Sequence, residues 1–457
     1  MKKDTIAAIA TAMTNSGIGI VRISGPEAFD IIQKIYTGKN EKIFSKIESH
    51  TIHYGYITDG EETIDEVLVM IMRGPKSFTG EDTVEINCHG GVYVVKRVLE
   101  TVIKYGARPA EPGEFTKRAF LNGKMDLSQA EAVIDVIHSK NEYALKSSVT
   151  QLKGAVKKKI KEIREEILYH TAFIETALDD PEHISVDGYG EKLKGTVDKL
   201  LEELKELLKT SDNGRIMKEG IQTVIVGKPN AGKSSLLNVL VGEDRAIVTD
   251  IAGTTRDVLE ESIQLNGISL NIMDTAGIRS TDDVVEKIGV DKAKSYANEA
   301  DLIIYVVDAS RELDENDFEI IKMIQDKKAV ILLNKSDLTT VVTKDMIQSY
   351  IEKPMIEISA KEGKGIKELE ETVKSLFFHG EISFNDEVYI TNIRHKTAIQ
   401  NAYDSLKKVK ESIENNMPED FYSIDLLDAY ESLGSITGET IGEDLVNEIF
   451  SKFCMGK

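Results

Sequence analysis

The sequence predicts a multidomain fold: an α+β N-terminal domain, an all-α helical bundle, and an α/β domain inserted in that bundle. Three observations carry this. Short strand-like runs fill residues 1–121. Apolar residues recur at spacings of three and four over 122–215 and again over 380–457. Between those two helical stretches, 216–379 alternates buried-type strands with helical segments. A chain of 457 residues has room for about three domains.

Within 1–121, Thr5–Ile9, Ile18–Ile23, Thr51–Ile57, Glu66–Met72 and Thr83–Cys88 read as strands, and Glu27–Tyr36 and Val92–Tyr105 as helices. Three polar stretches stand out: Arg22-Ile23-Ser24-Gly25, Ser77 to Asp82, and Asn87-Cys88-His89-Gly90-Gly91. Taken alone, each has the chemistry of a turn. From Leu127 to Leu178 the period becomes helical, through Ala130, Val133, Ile134, Ile137, Val156, Ile160, Ile163 and Ile167, and Asp179-Asp180-Pro181 ends the run. A second helix carries Leu193, Val197, Leu200, Leu204, Leu207 and Leu208. Ser211-Asp212-Asn213-Gly214 then reads as a linker.

The 216–379 segment opens with a strand, Val224-Ile225-Val226, followed by Gly227-Lys228-Pro229-Asn230-Ala231-Gly232-Lys233-Ser234-Ser235 and an apolar-periodic helix. In a strand–loop–helix context, G-x-x-x-x-G-K-S is a phosphate cradle. Its glycines let backbone amides turn onto phosphates, and the helix start adds its positive end. Lys233 reaches the outer phosphates, and the Ser234 hydroxyl sits on magnesium. Asp274-Thr275-Ala276-Gly277 ends a further strand and brings a carboxylate toward that magnesium. Ala329 to Leu333 ends in Asn334-Lys335-Ser336-Asp337, where the aspartate accepts from N1 and the 2-amino group of guanine, donors that adenine lacks. Ser359-Ala360-Lys361 closes a last strand over the base. These motifs, in this order at strand ends, imply a Ras-like α/β GTPase domain. Asn266-Gly267 marks a hairpin between Val258–Leu265 and Ile268–Met273, so one antiparallel pair is expected in an otherwise parallel sheet.

Ile278 follows Asp-Thr-Ala-Gly where Ras-type proteins carry a water-orienting glutamine. Two features could replace it. Asn230 places an amide oxygen beside the phosphates, and Thr249-Asp250-Ile251-Ala252-Gly253-Thr254-Thr255 offers carbonyls and hydroxyls that could close around a monovalent cation. Asn230, Thr249, Ile251 and Thr254 are the candidate ligands of that cation, and Thr255 is the second magnesium ligand. The alternative is a plain switch loop with Arg256 as an internal finger.

After Gly380, helices run through Ile399 to Ile413, Leu426 to Leu433 and Leu445 to Phe453. Amphipathic helices on both sides of the α/β segment predict one bundle with that segment inserted. The net charge of −21 argues against broad electrostatic binding of nucleic acid. Lys153, Lys157, Lys158, Lys159, Lys161 and Arg164 form a local basic stretch, which beside Glu162, Glu165 and Glu166 reads as a solvated helix face. Two cysteines, Cys88 and Cys454, predict no disulfide framework. No apolar run is long enough to span a membrane, and Asp4 interrupts the N-terminal run that mimics a signal peptide. A cytoplasmic protein is expected.

The cradle, the stretch Asp250-Ile-Ala-Gly-Thr-Thr-Arg-Asp257, the run Asp274-Thr-Ala-Gly-Ile-Arg279, and the terminal Phe453-Cys454-Met455-Gly456-Lys457 together resemble the MnmE (TrmE) family of tRNA modification GTPases over the whole chain. The resemblance implies a potassium-activated GTPase that acts as a homodimer. It implies a flavoprotein partner, MnmG, and an aminomethyl-type group installed on carbon 5 of the tRNA wobble uridine. Glu286 matches the family's water-positioning glutamate. Arg22, Glu81, Lys124 and Lys457 match its pocket for a tetrahydrofolate derivative, in the 5-formyl or methylene form, which would supply the one-carbon unit. The tail of such proteins turns back toward that pocket, where a Cys454 thiolate could attack the uridine; the other reading of Cys454 is a plain buried cysteine. A ribosome-assembly or translation GTPase, or a nucleotide-controlled scaffold, would share the cradle but would have no use for a folate pocket.

Overall fold

The computed structural model describes the chain apart from residues 1–3, 39–42, 186–187, 246–260, 266, 274–295, 297, 379–387, 455 and 457. It falls into two compact units. One comprises Met1–Ile137, Val149–Asp198 and Asp404–Lys457, and the other His138–Ser148 and Lys199–Tyr403.

The first unit contains a seven-stranded sheet in the order β3-β4-β5-β6-β2-β1-β7. Its strands are β1 (Ile6–Ile9), β2 (Ile18–Ser24), β3 (Tyr36–Thr37), β4 (Thr51–Asp59), β5 (Glu62–Met72), β6 (Thr83–His89) and β7 (Arg108–Pro109). Period-two patterning decides which face is buried. In β5, Val67, Val69 and Ile71 enter the core while Leu68 between them is 46% exposed. Helices Ala28–Ile35 and Val92–Lys104 cover the buried face through Phe29, Ile32, Val95 and Val98. The helix Glu114–Leu121 was not signalled by apolar periodicity, because its buried residues include Glu114, Thr116 and Arg118.

The predicted helical run of 127–178 is three helices, Leu127–Ile137, Glu142–Leu152 and Ala155–Asp179. Apolar spacing continues across both breaks, but capping does not. Asn141 accepts from the Ala144 amide at 2.7 Å as an N-cap, and Gly154 takes φ +91° ahead of the third helix. That third helix packs on Glu419–Thr437, so helices from both sides of the α/β segment do form one bundle. Gly434 lets them approach, since a Cβ there would lie 2.9 Å from Arg164 Nη2.

The second unit holds a six-stranded sheet, order β13-β12-β11-β8-β10-β9. Its strands are β8 (Ile221–Val226), β9 (Glu261–Leu265), β10 (Ile268–Ile272), β11 (Leu302–Asp308), β12 (Ala329–Asn334) and β13 (Met355–Glu357). All pairs are parallel except β9–β10, whose register places Leu265 opposite Ile268. Every residue of β11 and β12 is buried, as a parallel sheet covered on both faces requires. The stretch Ser211–Gly214 is not a linker: one helix runs over Tyr189–Glu219 and leads into β8 through Gly220. Gly214 is there because the chain at Ile390 passes close, and a Cβ would lie 2.3 Å from its carbonyl oxygen. No helix among the described residues is long and apolar enough to cross a membrane.

Candidate functional site

Strand β8 is interior to its sheet, between β11 and β10, and its carboxyl end turns through Gly227–Gly232 into the helix Lys233–Arg245. Open parallel sheets bind ligands at this kind of position. Two cradle residues must be glycine. Gly227 has φ +150°, and a Cβ would meet the Val306 carbonyl oxygen at 2.3 Å. Gly232 has φ +101°, and its Cβ would come within 2.0 Å of Asn334 Nδ2. Asn230 also has a left-handed φ of 62°, a region asparagine enters more readily than most side chains. Lys233 Nζ donates to the Gly227 and Lys228 carbonyls at 2.7 and 2.8 Å. Burial holds its pKa below the usual lysine value. A half-buried ammonium answered, among the described residues, by the Gly227 and Lys228 carbonyls suits an anion, so the cradle fits a polyphosphate. Ser234 and Ser235 occupy the first turn of the helix that follows.

The loops that begin at Asn334 and Ser359 are tied to this cradle by one side chain. Asn334, 2% exposed, donates from Nδ2 to the Ala231 carbonyl at 2.8 Å and accepts the Ala360 amide on Oδ1 at 3.0 Å. Its amide therefore positions loops. Asp337 carries the exposed carboxylate: the Ser359 hydroxyl donates to its Oδ1 at 2.8 Å, and that hydrogen bond holds it below the usual carboxylate range. It stays ionised and exposed, as an acceptor for two guanine N–H groups must be. Lys361 is exposed just beyond, in the loop after Ala360. Lys335 adopts φ 67° and donates to Asp308 Oδ2 at 2.6 Å. Burial pushes the Asp308 carboxyl up, but the Lys335 and Ser310 hydrogen bonds outweigh it and leave it lowered.

A further anchor had no sequence signal. Lys228, inside the cradle, pairs with Asp314 at 2.9 Å and Asp317 at 2.6 Å. Those aspartates form the capping box of the helix Glu315–Met323, and buried Tyr305 donates to Asp317 at 2.7 Å. The predicted switch residues Thr249, Asp250, Ile251, Ala252, Gly253, Thr254, Thr255 and Arg256 lie outside the described residues. So do Asp274, Thr275, Ala276, Gly277, Ile278, Glu286 and Lys457.

In the first unit, the candidates Arg22, Glu81 and Lys124 come together around the loop 75–82. Arg22 and Ser24 point to one face of β2, and the Ser24 hydroxyl donates to Glu81 Oε2 at 2.8 Å. Lys124 Nζ donates to the Pro75 carbonyl at 2.9 Å. Arg22 pairs with Glu85 at 2.7 Å, lies 5.9 and 5.6 Å from the Phe78 and Phe115 ring centres, and donates to the Gly456 carbonyl at 2.9 Å. That last bond brings the C-terminal tail to the candidate pocket. Gly456, at φ +88°, passes so close to β1 that a Cβ would lie 2.3 Å from the Ile9 carbonyl oxygen. The Gly113 amide donates to the Cys454 carbonyl at 3.4 Å.

Cys454 is exposed, so the plain buried-cysteine reading does not hold for it. Cys88 is the buried one, and burial pushes its thiol up to about 11. Among the basic stretch, Lys161 pairs with Glu165 at 3.6 Å, but Arg164 is not on a solvated face. It is 6% exposed, 4.0 Å from the Tyr430 ring centre, and paired with Glu439 at 2.6 Å.

A parallel sheet with this cradle, Lys233 within it, and Asp337 held by Ser359 defines a P-loop GTPase inserted in a helical body. Comparison with known proteins agrees. Residues 5–124 match the model for the GTP-binding protein TrmE N-terminus and 127–454 that for the MnmE helical domain. Proteins named tRNA modification GTPase MnmE are 62% identical in Lachnoclostridium phytofermentans and 52% in Acetivibrio thermocellus, over 100% of both chains. The one in Clostridioides difficile is 49% identical over 99% of both. The chain belongs to the MnmE family of tRNA modification GTPases.

Proposed function

We propose that this GTPase, as a homodimer with the flavoprotein MnmG, drives the installation of an aminomethyl or carboxymethylaminomethyl group on carbon 5 of the tRNA wobble uridine, with a tetrahydrofolate derivative as one-carbon donor. The observation that carries the nucleotide half is the Ser359–Asp337 pair beside the Lys233 cradle: a charged acceptor for guanine and a half-buried ammonium for phosphate, joined through Asn334. Ser234 and Thr255 would hold Mg2+. Asn230, Thr249, Ile251 and Thr254 would hold K+, and when bound these cations supply positive charge where negative charge develops on the phosphates. Glu286 would position water in place of the glutamine that Ile278 replaces.

The folate half rests on Glu81, whose side chain is 25% exposed, with Arg22 at the Phe78 ring and Lys124 at the Pro75 carbonyl of the same loop, and Lys457 next in sequence to Gly456. Cys454 would be the nucleophile toward the uridine. Domains of 1–121, 122–215, 216–379 and 380–457 serve folate binding, bundle, GTPase and returning bundle, in a cytoplasmic protein. Nucleoside analysis of tRNA from a deletion strain tests the whole: loss of the wobble modification is expected, and unchanged wobble uridines would favour a ribosome-assembly role. Two finer experiments separate the parts. GTP turnover should rise severalfold in potassium over sodium and lose that rise in Asn230→Ala. Glu286→Ala should stop both turnover and modification; modification that survives without turnover would make the protein a switch.

A further inference from the structure

We infer that Arg118 is a positioning residue: it holds the Glu81 carboxylate ready for a ligand that offers two adjacent N–H donors, such as the amino-pyrimidine edge of a pterin. The inference rests on the folate reading and adds a residue that touches no ligand.

Arg118 is 6% exposed, and three carboxylates share its guanidinium. Nη2 donates to Asp4 Oδ1 at 2.8 Å and to Glu114 Oε1 at 3.0 Å. Nη1 donates to the Asp4 carbonyl at 2.8 Å and, divided between them, to both Glu81 oxygens at 3.2 Å. The second cation of the cluster, Arg108, reaches Asp4 at 2.7 Å and Glu114 at 2.6 Å. Two guanidinium groups thus face three carboxylates. Arg108 serves the other two, and among the described residues Arg118 is the cation paired with Glu81, by long divided bonds. Among the described residues, Glu81 is therefore the carboxylate of the three with the weakest cation pairing. A carboxylate in partial burial is costly without further donors, and its side chain is 25% exposed, so donors from outside can reach it.

The protein has also fixed that carboxylate's direction. Ser24 donates to Oε2 at 2.8 Å. The segment that carries Arg118 grips the Glu81 loop as well, since Asn122 Nδ2 donates to the Thr79 carbonyl at 2.8 Å and Lys124 Nζ to the Pro75 carbonyl at 2.9 Å. Both oxygens are held from within, and each retains acceptor capacity. Two parallel N–H groups on a planar ligand match that arrangement.

Calorimetric titration of 5-formyltetrahydrofolate into the full chain tests this, with melting temperatures as the control for folding. Arg118→Met should weaken binding about tenfold or more, and Ser24→Ala about threefold to tenfold. Glu81→Gln with Arg118→Met should bind no more than about twofold more weakly than Glu81→Gln alone, because Arg118 acts through the carboxylate already removed. Arg118→Lys, which keeps the charge without the fork, should recover part of the loss. Additive losses in the double variant, or wild-type affinity in a folded Arg118→Met, would overturn the role. Should Arg118→Met not fold, Ser24→Ala decides: unchanged affinity there overturns it. Absence of folate binding by the wild-type chain would overturn the pocket reading and this role with it, whereas wild-type binding without coupling overturns the role alone.

Discussion

The phosphate cradle and the Glu81 pocket solve the same problem, holding charge ready for a ligand, by opposite means. The cradle is backbone. It needs glycine at 227 and 232 because Val306 and Asn334 pass within 2.3 and 2.0 Å of where a Cβ would stand, and it is nearly contiguous in sequence. The pocket is side chains. Asp4, Ser24, Glu81 and the Glu114–Arg118 pair of one helix come from four separate places in the chain and meet through ion pairs and the Ser24 hydrogen bond. A backbone site fails when atoms are added, and an ion-pair site fails when charge is removed. Each kind should answer to a different substitution.

The largest effect is expected from Gly232→Ala. Its left-handed backbone alone costs about 1–2 kcal/mol for a residue with a Cβ, and the added carbon displaces Asn334 from its bonds to both loops. Nucleotide affinity, read with a fluorescent GTP analogue, should fall by roughly a hundredfold or more, about 2.7 kcal/mol. Affinity within threefold of wild type would mean that the cradle yields, and would break the contrast at its strongest point.

Next is Asp337→Asn, which changes chemistry and leaves shape alone. An amide in place of the carboxylate offers an N–H where guanine also presents one and xanthine presents a carbonyl. The preference for guanosine over xanthosine triphosphate should swing by on the order of a hundredfold. Unaltered preference would show that Asp337 does not read the base.

The contrast also explains what sequence could and could not reveal. The cradle, Lys233, Asp337 and Ser359 were legible because strand–loop–helix order places them and each works within a short motif. Asn334 belonged to a recognised motif, but its use as a brace between the Ala231 and Ala360 loops depends on packing. Arg118 had no signal, because buried charge inside Glu114–Leu121 lowers the very periodicity that marks a helix. Ser211–Gly214 misled for a related reason: Gly214 there serves a close approach of Ile390 inside a continuous helix. Local chemistry is readable from sequence, and contacts between distant segments are not.

A smaller effect is expected where the two designs meet, at Gly456 in the tail. Here a glycine of φ +88° seats the chain against Ile9 so that Arg22 can take its carbonyl. Gly456→Ala should loosen the tail by about 1–3 kcal/mol, from backbone strain and a charged donor left unmatched. The readout is Cys454, whose labelling by a thiol reagent should accelerate as its Gly113 contact opens more often. Unchanged labelling would show that the tail is held by Phe450 and Phe453 rather than by the glycine.

The smallest effect tests the pocket's reliance on charge directly. Burial pushes the Glu114 carboxyl up, but hydrogen bonds from Arg108, the Glu111 amide and Arg118 outweigh it and leave it below its ordinary value of 4.5. Asp4 is lowered from 3.8 chiefly by Arg108. A carboxyl lowered by folding binds protons less readily folded than unfolded, so the stability it contributes is fully present above its ordinary value and is lost as pH falls through the depressed one. Glu114→Gln should therefore be less stable than wild type at pH 7, because two guanidinium groups lose a partner. Below about pH 4.5 its melting temperature should fall less steeply, each such group adding at most about 1.4 kcal/mol per pH unit to the slope. Parallel melting curves from pH 6 to 3 would show that the ion pairs around Arg118 do not govern the acid response of the pocket. The pocket would then be held, like the cradle, by backbone and packing.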